Sequence, residues 1–259
     1  MKKILIAPHH QVLLASYQLD NFEALWEHEI DWFEEPNQRR GGWSGVGRLE
    51  LKQEGLASLN VFVKKQQNHG RRTLLHPVKG EPTFRREFER LQFLASHQFA
   101  APKVVFYAES EVGGCQRAIL VTEALDDYQP LDTFMSTWRD KLSRQQQSTF
   151  IQQLAIELSR FHKLGLVHRA LYPKHIFVKD AHQNASIALI DLEKARFSPC
   201  LFYRAFFDLA ALNRHVEGVR KTQKLAFFMH YFGMTNSPLK RMSVFYQWVC
   251  RCIVKRSQR

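Results

Sequence analysis

Long apolar runs are missing from this chain of 259 residues. No stretch approaches the roughly 18 apolar residues of a membrane-crossing helix, so none is expected. Cysteine is scarce: Cys115, Cys200, Cys250 and Cys252 have neither metal-ligand nor redox spacing. In a helical segment Cys250 and Cys252 point apart, so all four are expected as reduced thiols in a cytoplasmic protein. The opening MKKILIAPHH has only five apolar residues after its lysines, too few for a signal peptide. Acidic residues are the minority, 25 against 37 basic, which leaves a net charge of +12. Such a field favours polyanions: nucleotides, nucleic acid, anionic headgroups or phosphorylated glycans. No zinc, helix-turn-helix or RNP-type signature supports nucleic acid, which is not expected as a partner. Repeats and low-complexity segments are also missing.

What is present suffices for a core, since 45% of the residues are hydrophobic. Residues 4–36 read as mixed, with Trp26, Trp32 and Phe33 among acidic neighbours. The segment 40–51, RGGWSGVGRLEL, reads as a glycine-rich loop running into an alternating strand, followed by a turn at Gln53-Glu54-Gly55. LNVFVKK, 59–65, is a second strand. Phe84, Phe88, Leu91 and Leu94 form a helical stripe within 83–96. Short apolar strands follow at 102–107 and 117–122. The polar run 126–130, ending in Pro130, marks a boundary between a first unit, 1–125, and a second, 126–259. The second half reads as mainly helical. Phe150, Leu154, Leu158 and Phe161 stripe a helix over 144–163 that Gly165 stops, and further helices are expected near 206–232 and 238–256. Ser237 and Pro238 suit the N-cap and first turn of the last one.

The chemistry concentrates in FHKLGLVHRALYPKHIFV, 161–178, and IALIDL, 187–192. Together they read as a helix end, a catalytic-type loop, a strand, and a second strand ending in a lone aspartate. That order resembles the protein-kinase active site, in which His-Arg-Asp-Leu precedes a metal-binding aspartate. His168, Arg169, Leu171 and Pro173 match the loop. Ala170 stands where the base aspartate belongs, and His175 where a metal-binding asparagine belongs. Asp191 and His175 are the metal-ligand candidates. His168, Arg169, His175 and Asp191 are the catalytic candidates. Asp208 matches the buried helix aspartate that braces such a loop.

Phosphoryl transfer is mostly positioning and charge neutralisation. Among Gly41, Gly42, Gly45 and Gly47, the candidates for backbone approach to phosphates are Gly45 and Gly47. Lys64 ends a VFVK strand and is the phosphate-binding lysine, with Lys65 as its rival; strand alternation places Lys64 with Phe62. Glu87, on the helix that follows, is its expected partner. The segment 122–125, with Glu123, falls where a hinge offers backbone groups to adenine. Only 17 positions separate Asp191 from Asp208, and no Ala-Pro-Glu segment intervenes. That leaves little room for the segment that docks peptides, so a small-molecule, sugar or lipid acceptor fits better.

HRALYPKHIFV, IDLEKAR, RRGGWSGVGRLEL and VFVKKQ together resemble the bacterial lipopolysaccharide kinase family, its InaA branch beside the WaaP and Kdo kinases. The resemblance covers about residues 38–215. It implies an α+β, two-lobed protein-kinase-like fold: a small antiparallel-sheet N-lobe with one key helix, and a mainly helical C-lobe. It implies ATP and Mg²⁺ as cofactors. Its implied reaction is phosphorylation of an inner-core sugar of lipopolysaccharide at the cytoplasmic membrane face. Active members carry aspartate where this chain has Ala170, so the rival reading is a nucleotide-binding pseudokinase with a regulatory or scaffolding role. Lys240, Arg241, Arg251, Lys255, Arg256 and Arg259 flank an apolar stripe near the C-terminal end. This segment packs in the C-lobe with a solvated basic face, or docks on an anionic membrane surface or another anionic glycolipid.

Overall fold

The computed structural model describes residues 3–33, 35–39, 41–52, 58–71, 80–181, 184–234 and 244–258. The chain divides into two compact units, Met1–Asp126 and Asp127–Arg259.

The first unit runs β1 (Lys3–Ile6), α1 (Gln11–Ser16), α2 (Phe22–Glu27), β2 (Asp31–Trp32), β3 (Asn37–Arg39), β4 (Gly42–Leu51), β5 (Leu59–Gln67), β6 (Gly70–Arg71), β7 (Glu81–Pro82), α3 (Thr83–Ser96), β8 (Val104–Val112) and β9 (Cys115–Glu123). Its main sheet is antiparallel, in the order β1-β8-β9-β5-β4-β2, with β3 also on β4. Strand β5 is central. Alternation along it buries Val61 and Val63 completely against Leu14, Phe22, Leu25 and Phe106, which make a core on that face. Lys64 therefore points to the opposite face.

Helix α3 forms where the sequence periodicity predicts it, and its buried residues include Phe84, Glu87, Phe88, Leu91 and Leu94. Phe88 stacks on Tyr107 of β8 with ring centroids 4.1 Å apart. Glu87 lies on this apolar stripe. Burying a carboxylate there is costly unless it is paired, so the helix calls for a cationic partner.

The glycine-rich segment differs from expectation. It is strand, not loop: β4 pairs with β5 along Trp43 to Leu51 and with β2 and β3 on its other side. Only Gly41, with φ of +77°, lies outside β4 in the turn that joins β3 to it. A Cβ on Gly45 would lie 2.8 Å from the Trp32 ring, and one on Gly47 would lie 2.6 Å from the Asp31 carbonyl oxygen. Close packing of β2 accounts for both glycines. The turn at 53–55 lies outside the described residues.

The second unit runs β10 (Gln129–Pro130), α4 (Leu131–Lys141), α5 (Arg144–Lys163), β11 (Leu166–Val167), β12 (Ile176–Lys179), β13 (Ser186–Leu189), β14 (Arg196–Phe197), α6 (Leu201–His215), α7 (Lys221–Tyr231) and α8 (Val244–Ser257). Ser143 caps α5 in a reciprocal box with Gln146. Gly165 ends it with φ of +92°, a conformation that favours glycine. Helix α4 falls in a stretch the periodicity did not mark. The single helix expected at 206–232 is two, α6 and α7, separated at 216–220, where Gly218 has φ of +69°. Ser237, Pro238, Lys240, Arg241 and Arg259 lie outside the described residues. No helix among the described residues is long and apolar enough to cross a membrane.

Candidate functional site

In the first unit the register of β5 separates two adjacent lysines. Lys64 Nζ donates to Glu87 Oε1 at 2.6 Å, and the Glu87 side chain is only 4% exposed. Lys65 points the other way. Its Nζ donates to the carbonyls of Trp26 at 3.0 Å and His28 at 2.6 Å, and burial lowers its pKa to about 8. Lys65 thus ties β5 to α2, and Lys64 is the lysine presented with the α3 carboxylate.

The expected hinge segment at Glu123 has two of its amides engaged within the sheet. The Glu123 backbone N–H donates to the Lys103 carbonyl and that of Ala124 to the Asn60 carbonyl, each at 2.8 Å, so neither amide is available to adenine. The Glu123 carboxylate accepts from His10 Nε2 at 2.8 Å and lies 3.5 Å from Lys103 Nζ. Gly45 and Gly47 are likewise engaged in the paired strand β4, whose partner β2 occupies the space above them.

In the second unit everything is built around Asp208, whose side chain is fully buried on α6. Its Oδ2 accepts from the His168 amide at 2.6 Å and its Oδ1 from the Arg169 amide at 2.8 Å, the bracing role expected of it. His162 Nε2, from α5, donates to Oδ2 at 3.0 Å. Its Nδ1 then accepts from the Tyr231 hydroxyl at 2.5 Å. Burial raises the Tyr231 pKa and keeps that group a donor. A buried carboxylate with three donors is well compensated. It fixes the loop from helices remote in sequence. His162 and Tyr231 escaped the sequence reading, because a histidine and a tyrosine on helix faces carry no motif.

Asp208 makes a strained loop sustainable. Arg169 has φ of +66° and Asp191 has φ of +58°, both left-handed conformations that cost a non-glycine residue of order 1–3 kcal/mol. Such outliers persist where surrounding structure fixes them, and they concentrate at functional sites. His168 is fully buried, burial lowers its pKa, and the neutral ring donates from Nε2 to the Ile190 carbonyl at 2.9 Å. That bond links the loop to the residue preceding Asp191.

His175 and Asp191 meet. His175 Nδ1 lies 2.8 Å from the Ala170 carbonyl oxygen, which only accepts, so the proton is on Nδ1. Its Nε2 faces Asp191 Oδ2, 3.5 Å away. A ring nitrogen and a carboxylate oxygen facing each other call for a proton or a cation between them. Nδ1–H held by a backbone carbonyl, with Nε2 turned to a ligand position, is the usual arrangement of a metal-ligating histidine. The donor set thus fits a divalent cation. Ala170 itself is 1% exposed, and its carbonyl also accepts from the Tyr172 amide at 2.8 Å.

The chain matches the lipopolysaccharide kinase (Kdo/WaaP) family over residues 23–231. It belongs to that family. A curated relative, Protein InaA of Escherichia coli (strain K12), is 29% identical over 226 residues, which is 86% of this chain and 100% of InaA. A solved structure of WaaP in complex with acyl carrier protein superposes with a TM-score of 0.70 at 19% identity, covering 99% of this chain and 98% of WaaP. At that identity the likeness speaks for the fold. This lipopolysaccharide kinase family member is a two-lobed α+β protein of the protein-kinase-like class, with a sheet-rich N-lobe and a helical C-lobe.

Proposed function

We propose that this family member is an ATP- and Mg²⁺-dependent phosphotransferase acting on a sugar of the lipopolysaccharide inner core, with slow transfer because Ala170 replaces the base. The observation that carries the reading is the Lys64–Glu87 ion pair. A buried glutamate holding a strand lysine is the arrangement that presents an ammonium to nucleotide phosphates. Asp191 and His175 are the residues that would hold the divalent cation, which on binding supplies charge neutralisation at the phosphates. Arg169 and His168 belong to the loop that positions the acceptor. Loss of a general base costs roughly 10²–10⁴-fold, which a reaction dominated by positioning survives at a reduced rate.

A second reading, a nucleotide-binding pseudokinase with a regulatory or scaffolding role, is favoured by one observation. Ala170 is buried and its carbonyl is held by both His175 and Tyr172, so the base position is closed into the loop packing. The deciding assay uses purified protein, labelled Mg-ATP and dephosphorylated lipopolysaccharide, with Asp191→Ala as control. Transfer that the control abolishes supports the kinase. No transfer, with ATP still bound by the same preparation, supports the pseudokinase.

The same proposal places the protein in the cytoplasm, in peripheral contact with the inner membrane. Helix α8 supports this. It buries Val249 and Ile253 and exposes Trp248, Arg251, Val254 and Lys255, a mixture of basic and interfacial side chains. Vesicles containing anionic lipid should retain the protein at low salt and release it at high salt. Indifference to anionic lipid would remove the membrane from the proposal.

A further inference from the structure

The N-terminal histidines have no part in the reading above, yet the fold brings them to one point. Strand β1 pairs with β8, Ile6 opposite Phe106, and β8 pairs with β9, Val104 opposite Thr122. The chain leaving β1 therefore arrives at the sheet end where Glu123 finishes β9. There the Ala7 amide donates to the Val105 carbonyl at 3.0 Å, and a single 3₁₀ turn, Pro8–His10, begins with proline in its first position. Both imidazoles turn toward one carboxylate. His10 Nε2 is 2.8 Å from Glu123 Oε1 and His9 Nε2 is 3.7 Å from the same oxygen. The three ligand-type atoms lie within 4.8 Å of one another. The His10 side chain is 10% exposed, that of Glu123 20% and that of His9 60%, which leaves an entry path beside His9.

We propose that His9, His10 and Glu123 form a transition-metal site, and that Zn²⁺ is the ion that fits it. Two imidazole nitrogens and one carboxylate oxygen are a zinc donor set that leaves the fourth tetrahedral position to water. Mg²⁺ is a poor match, since it favours oxygen ligands in octahedral geometry. The ligand bearers are rigid: the 3₁₀ turn is tied to β8, and the Glu123 amide is fixed on the Lys103 carbonyl. On binding, the metal takes the place of the proton between His10 Nε2 and Glu123 Oε1, and the neutral ring carries its one proton on Nδ1. Lys103 Nζ lies 3.5 Å from Glu123 Oε2, and its side chain is 71% exposed, so this surface contact is worth little to displace. The ion would clasp the N-terminal turn to the last residue of β9. Zn²⁺ binding at this turn is independent of phosphotransfer.

The test uses the full chain after chelator treatment, titrated with Zn²⁺ alone by calorimetry and with Co²⁺ by visible absorption. Saturable Zn²⁺ binding, with Co²⁺ bands of a four-coordinate site, is expected. His9→Gln and Glu123→Gln should each weaken it by roughly tenfold or more, since even outer-shell partners of a metal site cost that much. His9 is exposed, so its variant remains folded, which circular dichroism verifies. Asp191→Ala, which removes the other cation site proposed above, should retain one Zn²⁺ at this one. The site is overturned if saturable Zn²⁺ binding is lacking, if binding survives both substitutions, or if Asp191→Ala abolishes it.

Discussion

The two units carry their charged residues in opposite ways. In the first unit the cation is presented: Lys64 is held at its tip by Glu87, and its neighbour Lys65 is turned into the opposite face and bound by two carbonyls. In the second unit the charge is hidden: Asp208 is wholly buried and acts on backbone amides, while the loop it braces has alanine at position 170. The difference teaches that a carboxylate can serve a presented cation or a strained backbone. On the proposed function, this makes nucleotide binding and group transfer separable. A loop held by a fully satisfied buried carboxylate does not need a carboxylate of its own at position 170 to keep its shape.

The largest expected effect restores what the second unit lacks. Ala170→Asp should raise transfer to dephosphorylated lipopolysaccharide by roughly 10²–10⁴-fold. An unchanged rate would mean that more than the base has gone, and would favour the pseudokinase. Next, Asp208→Ala leaves the His168 and Arg169 amides and His162 without their acceptor, and should cost about 3–5 kcal/mol of stability in denaturant unfolding. A loss under about 1 kcal/mol would contradict the bracing role. Third, Lys64→Met should weaken nucleotide binding by roughly ten- to a hundredfold by calorimetry, as expected for a charge-assisted contact of about 1.5–3 kcal/mol, while Lys65→Met should not. Equal losses in the two variants would erase the division of labour along β5. Fourth, Gly45→Ala should destabilise by about 1–3 kcal/mol, because its Cβ meets the Trp32 ring. An unchanged midpoint would reopen the phosphate-loop reading.

The smallest effect concerns pH. The Lys65 pKa falls from 10.5 to about 8 on folding, so between those values the unfolded chain binds more protons than the folded one. Stability contributed by this group therefore rises as pH rises from about 8 toward 10.5. Lys65→Met should flatten that rise in unfolding free energy measured across the window.

Helix α3 and helix α5 were legible to the residue, because their apolar stripes repeat at helical spacing and Gly165 stops the second. The loop and strands around His168, Asp191 and Asp208 were legible because residue types recur there in a fixed order. The glycines are ambiguous: a glycine that admits a phosphate and a glycine that admits Trp32 look the same in sequence. Residues 216–220 show the converse. The apolar pattern runs on through them, and only the chain reversal at Gly218 divides α6 from α7. The engagement of the Glu123 amide was not legible for a third reason. Strand-end amides are free or engaged according to the neighbouring strand, and Lys103 stands 20 positions earlier.

By itself the sequence determined the fold class, the loop with alanine at its base position, and the identities of Lys64, Glu87, Asp191 and Asp208. These rest on local periodicity and on residue order, both of which are properties of a string. Tertiary structure decided what holds Lys65, which nitrogen of His175 faces Asp191, and that His9 and His10 converge on Glu123. Those outcomes depend on strand register and on carbonyls supplied from elsewhere in the chain, and a side chain's chemistry follows from the partner that folding places beside it.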